Sequence, residues 1–213
     1  MADFTTRPLR RPSAPVHGTL FVPAAAGYPA AVLLIGGSGG SEPSYAGQAL
    51  AEEGIAALSV AYFAWPGLPA QLRGIPLEYF FSALEILRDV LPSPPPPIAV
   101  LGMSRGSEAA MLTAIHSPVP VRAVVATVPG NLVAGSLPPG APAWLLDGQP
   151  LPYADEADPA RRESTAETSP TPQQANFDDR PQASPLTIKK ARQARPPHRR
   201  RNTESAIGAD LRL

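Results

Sequence analysis

Residue types that build many known functional sites are scarce in this sequence or missing from it. The 213 residues include no cysteine, which excludes disulfides, cysteine nucleophiles and cysteine-ligated zinc or iron–sulfur centres. Histidine occurs only at His17, His116 and His198, too few for a site built from several histidine ligands. We therefore expect no metal and no cofactor.

A charge excess of one sign and a long apolar run are also absent. Basic and acidic residues number 18 each, which excludes the one-signed field of a typical nucleic-acid-binding protein. No apolar run reaches the ~18 residues that a membrane span needs. The first residues, MADFTTRPLRRPSAP, lack the apolar core of a secretory signal. We expect a cytoplasmic protein with no membrane span and no nucleic-acid partner.

Proline, by contrast, is in excess, and the composition changes sharply near residue 153. Proline accounts for 29 of 213 residues, against a usual ~5%. Residues 1–153 carry 16 charged residues, whereas residues 154–213 carry 20 and few large apolar side chains. Such a segment buries too little apolar surface to offset its ordering entropy. We predict a disordered arm at 1–16, a folded part at 17–153 and a disordered, charged, proline-rich tail at 154–213.

The folded part alternates between patterns typical of buried strands and of amphipathic helices. Predicted strands cover 17–22, 30–37, 55–63, 98–103, 121–128 and 141–147, with a hairpin turn at Asp147-Gly148. Predicted helices cover 44–54, 76–91 and 107–115. Apolar strands without polar alternation, joined by helices, predict an α/β fold: a parallel sheet with helices on both faces.

The motif with the clearest chemistry is Gly102-Met103-Ser104-Arg105-Gly106, which fits the G-x-S-x-G nucleophile elbow. A predicted strand precedes Ser104 and a predicted helix follows it, which is the context that the motif requires. Glycine on either side removes clashes at the strained turn. The motif predicts Ser104 as a nucleophile. The alternative interpretation is an ordinary glycine-rich turn.

A glycine-rich loop at 36–40 agrees with this interpretation. It follows the predicted strand at 30–37, and in such a fold it lends a backbone N–H to the oxyanion hole, while the residue after the nucleophile lends another. We predict oxyanion donors at Arg105 and at Gly37 and Ser38. A flexible turn is the alternative, and a phosphate-binding loop is disfavoured because no G-K-[ST] follows.

A general base and an orienting acid are harder to find. In this chain order the acid follows the serine and the histidine follows the acid. His116 falls at the end of the helix that leaves the elbow, so we expect it to point away. His198 is the remaining candidate base, although its arginine neighbours disfavour the imidazolium. Candidate acids by order alone are Asp147, Asp155 and Asp158.

Further stretches resemble a known family. The quoted segments are GTLFVP, AAVLLIGGSGGSEP, LAEEGIAALSVAYFAWPGLPAQL, IPLEYFFSALEIL, IAVLGMSRGSEAAML and PAWLLDGQPLPY. Together they resemble the catalytic domain of the acyl-CoA thioester hydrolase / bile acid-CoA:amino acid N-acyltransferase family, within the α/β-hydrolases. The resemblance implies an α/β-hydrolase-like sheet and acyl transfer from acyl-CoA, to water or to an amine. It places the nucleophile on Ser104, the elbow glycines on Gly102 and Gly106, and the oxyanion donors on Arg105, Gly37 and Ser38.

Other interpretations stay open. A carboxylesterase or dienelactone-type hydrolase shares the elbow, and a domain without a working base is catalytically inactive. Arg73 and Arg105 are candidate partners for the phosphates of CoA. The basic stretch at 180–201 is either a solvated tail or a weak polyanion-binding segment.

The resemblance ends at Tyr153, where the composition changes. The family's later strands, acid and histidine motif do not follow, so we expect a C-terminally incomplete hydrolase domain. One hypothesis is that 154–213 results from a frameshift in the gene or its assembly. A sheet that stops there leaves an open edge, and we expect self-association through it.

Overall fold

A computed structural model of the chain describes residues 3–24 and 27–154. Within them the elements follow in the order β1 (Phe4–Leu9), β2 (His17–Pro23), β3 (Ala31–Ile35), α1 (Ser44–Glu52), β4 (Ala56–Ala61), β5 (Ile75–Pro76), α2 (Glu78–Asp89), β6 (Ile98–Met103), α3 (Arg105–His116), β7 (Ala123–Thr127), β8 (Trp144–Leu146) and β9 (Gln149–Pro150). The predicted tail at 154–213 lies outside the described residues, apart from Ala154.

The main sheet has six strands in the order β1-β2-β4-β3-β6-β7. Strands β4, β3, β6 and β7 are parallel, as predicted. Strand β2 is antiparallel to β4, and β1 to β2. The sheet is therefore mixed: the predicted α/β fold is confirmed, and its first predicted strand, at 17–22, joins the parallel strands in the antiparallel direction. Few residues separate β2 from β3, whereas a crossover between parallel strands takes a dozen or more. The chain therefore reverses direction after β2.

Helices cover both faces of the sheet, as the α/β prediction requires. On one face, α1 packs with a small apolar cluster that includes Phe21 and Leu34. On the other face, the larger cluster joins Leu33 and Leu58 of the sheet to α2 and α3, and Phe80 of α2 is fully buried there. Alternate residues of β3 enter opposite clusters, because successive side chains of a strand point to opposite faces.

Residues 4–9 correct the prediction of a disordered arm at 1–16. They form β1, which pairs along its whole length with β2, from Phe4 opposite Pro23 to Leu9 opposite Gly18. Four of its six residues are exposed. Such an edge strand is held by its backbone hydrogen bonds and shows little apolar patterning in its sequence.

The strand predicted at 141–147 forms outside the main sheet. Strand β8 pairs with β5 and with β9 in a separate three-stranded sheet. Leu146 lies opposite Gln149, so Asp147 and Gly148 form the tight turn, with φ angles of 50° and 73°. The predicted hairpin turn is confirmed, and the positive φ at both positions is the conformation that Asp-Gly supplies.

The far edge of the main sheet is β7. It pairs with β6, and four of its five residues are exposed. Among the described residues, no helix is long and apolar enough to cross a membrane.

Candidate active site

Ser104 lies at the junction between β6 and α3, at the carboxyl edge of the parallel strands. Its φ and ψ angles are 52° and −120°, a conformation that residues with a side chain rarely adopt. Its backbone N–H donates to the carbonyl of Thr127 on β7 at 2.8 Å. Its side chain is exposed. The strand, sharp turn and helix predicted around this serine are all present.

The glycines of the motif permit this turn. A Cβ on Gly102 would overlap the backbone of Gly106, and a Cβ on Gly106 would overlap the carbonyl oxygens of Ile35 and Gly36. The first turn of α3 therefore packs directly on the backbone at the end of β3. No side chain fits between these segments, which is the physical reason for glycine at both positions.

The glycine-rich loop lies beside Ser104. A Cβ on Gly37 would be 3.4 Å from Cβ of Ser104. The hydroxyl of Tyr62 donates to the carbonyls of Gly36 and Gly37, at 3.1 and 3.4 Å. Trp65 Nε1 donates to the carbonyl of Gly40 at 2.8 Å. The structure thus places the loop that holds the predicted oxyanion donors, Gly37 and Ser38, beside the predicted nucleophile. Hydrogen bonds from two aromatic side chains hold this loop in place.

Arg105 opens α3, so its backbone N–H belongs to the free first turn of a helix. Its guanidinium group donates hydrogen bonds within the protein, to Glu108 Oε2 at 2.6 Å and to the carbonyls of Ala134 and Gly135 at 3.0 and 2.7 Å. It also lies 5.7 Å from the ring centroid of Trp144. The guanidinium thus makes three hydrogen bonds within the protein, whereas its buried Nε has no partner among the described residues. A role for Arg105 toward the phosphates of CoA stays a prediction. Arg73 is exposed, and nothing in the structure relates it to the site.

Glu108 is a site residue that the sequence analysis missed. Its carboxylate is 5% exposed and accepts hydrogen bonds from Trp144 Nε1 at 2.5 Å and from the backbone N–H of Ala134 at 3.0 Å. Burial raises the pKa of Glu108, while Arg105 and these hydrogen bonds oppose the rise. The available signal was a carboxylate among the residues predicted to be buried on the helix, one turn after the serine.

A cleft of about 330 Å³ opens beside Ser104. Ser104, Arg105 and Glu108 line one side, and the segment from Val128 to Leu132 lines the other. Glu108 and Arg105 hold Ala134, just beyond that segment, against the first turn of α3. The network therefore shapes one wall of the cleft.

Neither described histidine reaches Ser104. His116 is exposed at the end of α3, eleven residues or about 17 Å along the axis from its start, which confirms that it points away. His17 lies on β2, three strands from β6, or about 14 Å at the usual strand spacing. Asp147 is exposed in the hairpin turn. His198, Asp155 and Asp158 lie outside the described residues.

Comparisons with known proteins agree with the resemblance seen in the sequence. The chain is 33% identical over 122 residues to human acyl-coenzyme A thioesterase 2, mitochondrial, which covers 55% of this chain and 25% of that protein. It is 35% identical over 114 residues to mouse acyl-coenzyme A amino acid N-acyltransferase 1, covering 53% and 26%. Human acyl-coenzyme A thioesterase 6 is 35% identical over 133 residues, covering 58% and 31%. The chain thus spans about a quarter to a third of the length of these curated relatives.

Among solved structures, a dienelactone hydrolase from Anabaena variabilis has a TM-score of 0.43 and 20% sequence identity, covering 59% of this chain and 62% of that one. No protein-family model matches the chain. The sheet order and the helices on both faces show an α/β fold. Over a little more than half of its length, the chain is similar to acyl-CoA thioesterases and acyl-CoA amino acid N-acyltransferases.

Proposed function

We propose that the chain performs acyl transfer from acyl-CoA thioesters, with Ser104 as the nucleophile. The proposal rests on one observation above all: an exposed serine held at φ 52° between a parallel strand and a helix. Such a turn lifts the side chain clear of the sheet and places it before the N-terminal end of the helix. The similarity to thioesterases and to an N-acyltransferase supports acyl-CoA as the substrate.

The first half-reaction follows from this geometry. Ser104 Oγ bonds to the thioester carbonyl carbon and gives its proton to a general base, and the carbonyl oxygen becomes an oxyanion. The backbone N–H of Arg105 and an N–H of the Gly37–Ser38 segment donate to that oxygen. The positive end of the α3 dipole stabilises the same charge. Collapse of the intermediate breaks the C–S bond, and the protonated base gives its proton to the sulfur, so CoA leaves as a thiol.

The second half-reaction releases the acyl group from Ser104. Water or an amine attacks the acyl-serine ester and loses a proton to the base. Collapse of this second intermediate breaks the bond to Ser104 Oγ, which takes the proton back from the base, and a fatty acid or an amide is released. The relatives include proteins named for each outcome, thioesterases and an amino acid N-acyltransferase. Of the two histidines that follow Ser104, His116 points away from it, so we assign the base to His198, which lies outside the described residues.

A fluorophosphonate probe tests the nucleophile, because it labels serines that a base activates. We expect the full chain to be labelled, Ser104→Ala to lose labelling, and Ser93→Ala to keep it. Ser93 is an exposed serine in the loop between α2 and β6, so this control removes a hydroxyl without touching the site. Absence of labelling in protein that unfolds cooperatively would overturn the proposal.

Thiol release tests the substrate. The chain has no cysteine, so a thiol reagent such as dithionitrobenzoate detects only the CoA set free from an acyl-CoA. We expect release by the full chain and none by Ser104→Ala. His198→Ala should lose both labelling and release, whereas His116→Ala should keep both. Labelling without thiol release would retain the serine hydrolase and reject the acyl-CoA substrate.

A further inference from the structure

The segment that follows β7 carries apolar side chains that solvent reaches. Val128 is 82% exposed and Leu132 is 48% exposed, and both line the cleft beside Ser104. Burial of apolar surface lowers the free energy, and sites for small molecules are concave and largely apolar. The cleft therefore offers an apolar wall to a ligand group that reaches Ser104.

The backbone of Val128 is held in a conformation that branched residues rarely adopt. Its φ angle is 53°, and a positive φ is an outlier for a β-branched residue. The preceding residue, Thr127, is fixed, because its carbonyl accepts from the N–H of Ser104 at 2.8 Å. Strained residues persist where the surrounding structure holds them, and they concentrate at ligand sites. The strain at Val128 directly adjoins the proposed nucleophile.

The position of the cleft relative to the oxyanion donors limits what enters it. Gly37 follows β3 and Val128 follows β7, and these strands lie on opposite sides of β6, which ends beside Ser104. An oxyanion that accepts from the Gly37–Ser38 segment points toward β3. The cleft on the β7 side is then open to one of the two other groups on the carbonyl carbon, the acyl chain or the sulfur with the rest of CoA.

The charges of the cleft distinguish between these two groups. The phosphates of CoA carry several negative charges, which Arg and Lys side chains bind. Of the described residues that line the cleft, Arg105 alone is basic, and Glu108 Oε2 lies 2.6 Å from its Nη1. The two side chains balance each other in charge. This lining, together with the apolar Val128 and Leu132, favours the acyl chain.

We propose that this cleft binds the acyl chain of the substrate against Val128 and Leu132, and that it selects chains of medium length. The inference rests on the proposed function, because it assigns one part of the same substrate. A methylene group occupies about the volume of a water molecule, ~30 Å³, so a cleft of about 330 Å³ holds roughly ten of them. Octanoyl to dodecanoyl groups fill it, whereas an acetyl group leaves the apolar wall exposed to water.

Thiol release from a series of acyl-CoA substrates tests the length preference. We expect kcat/KM of the full chain to rise with each added methylene, by at most about fourfold, and to stop rising beyond dodecanoyl-CoA. Leu132→Trp narrows the cleft, so it should lose about tenfold on decanoyl-CoA and keep its rate on acetyl-CoA. Ile115→Trp is the matched control and should change neither rate, because Ile115 is 72% exposed at the other end of α3.

Titration calorimetry with decanoate, a product of hydrolysis, tests the acyl site without catalysis. We expect the full chain, Ser104→Ala and Ile115→Trp to bind decanoate, and Leu132→Trp to bind it at least tenfold more weakly. Binding of decanoate without any thiol release would keep the acyl site and reject the proposed function. Thiol release that does not depend on acyl length would keep the function and overturn the acyl site. A full chain that does not bind decanoate would overturn the acyl site as well.

Discussion

Trp144 Nε1 donates a hydrogen bond of 2.5 Å to Oε1 of Glu108, which lies 36 residues earlier in the chain. The contact joins β8 of the small sheet to the first turn of the helix that follows Ser104. The same carboxylate holds Arg105 at 2.6 Å. One buried acid thus links the small sheet to the start of the elbow helix.

Replacing Glu108 tests this linkage. Glu108→Ala leaves the guanidinium of Arg105 without its counter-charge and two N–H groups without an acceptor. We expect a loss of about 3–5 kcal/mol in unfolding free energy, the usual result of breaking a buried ion pair. Glu108→Gln keeps an acceptor for Trp144 and should lose less. Urea denaturation measures both, with Glu85→Ala, an exposed acid on α2, as the control. Equal losses for alanine and glutamine would show that the charge, and not the hydrogen bonds, dominates.

The backbone strain at Ser104 has a measurable cost. Ser104→Ala and Ser104→Gly both remove the hydroxyl, but glycine adopts a positive φ without steric penalty. We expect the glycine variant to be more stable than the alanine variant by about 1 kcal/mol, the lower end of the cost of such a conformation. Thermal unfolding compares the two directly. Equal stability would mean that the turn is relaxed despite its φ of 52°.

The close approach of α3 to β3 predicts a severe effect at Gly106. Gly106→Ala forces a methyl group into the carbonyls of Ile35 and Gly36, and overpacking of this kind costs about 1–3 kcal/mol. Labelling of Ser104 should fall as well, because the start of the helix must shift. Gly39→Ala is the control in the neighbouring loop, where an added Cβ meets nothing within 4 Å. A Gly106→Ala variant as stable as the control would contradict the described packing.

His17 predicts a loss of stability in mild acid. Its side chain is 4% exposed beside Trp65, with 4.6 Å between ring centroids, and neither ring nitrogen has a partner among the described residues. Burial, together with Arg10, lowers the pKa of His17 below its usual 6.5, and Glu42 opposes this weakly. In mild acid the imidazole of His17 therefore binds a proton in the unfolded chain but stays neutral in the folded chain.

The unfolding free energy should accordingly fall as the pH drops below about 6.5, with a slope of at most about 1.4 kcal/mol per pH unit for one proton. His17→Phe removes the titrating group and fits an apolar site, so its profile should be flatter. The raised pKa of Glu108 acts with the opposite sign and is common to both proteins. The difference between the two profiles thus gives the contribution of His17 to the pH dependence of the unfolding free energy. Identical profiles would show that the burial of His17 does not cause the loss of stability in acid.

The sequence located the strands and helices of the main sheet because apolar runs and helical apolar periodicity are local signals. It missed β1, whose residues Thr5 to Pro8 are exposed and bound through their backbone. It also assigned β8 to the main sheet, because the sequence of a three-residue strand does not indicate which strand it pairs with. Pairing depends on contacts such as Ile75 opposite Trp144, far apart in sequence.

The candidate site likewise combines features that short motifs predict with features that depend on contacts in the folded chain. The elbow at Ser104 and the adjacent Gly37 are encoded in short motifs, and the structure brings them together. The roles of Arg105 and Glu108 depend on Ala134 and Trp144, which reach them only in the folded chain. The sequence shows a guanidinium next to a predicted nucleophile, but it cannot show the three partners that the fold gives this group.

The hydroxyl of Tyr62 determines how the peptide groups of the glycine-rich loop are oriented. Each trans peptide plane points its C=O and its N–H in opposite directions. Because the carbonyls of Gly36 and Gly37 face Tyr62, the N–H groups of Gly37 and Ser38 point away from it. Burial raises the pKa of Tyr62 far above its ordinary value, so the phenol keeps its proton in alkaline solution. One aromatic residue after β4 therefore holds two peptide groups of the loop in one orientation.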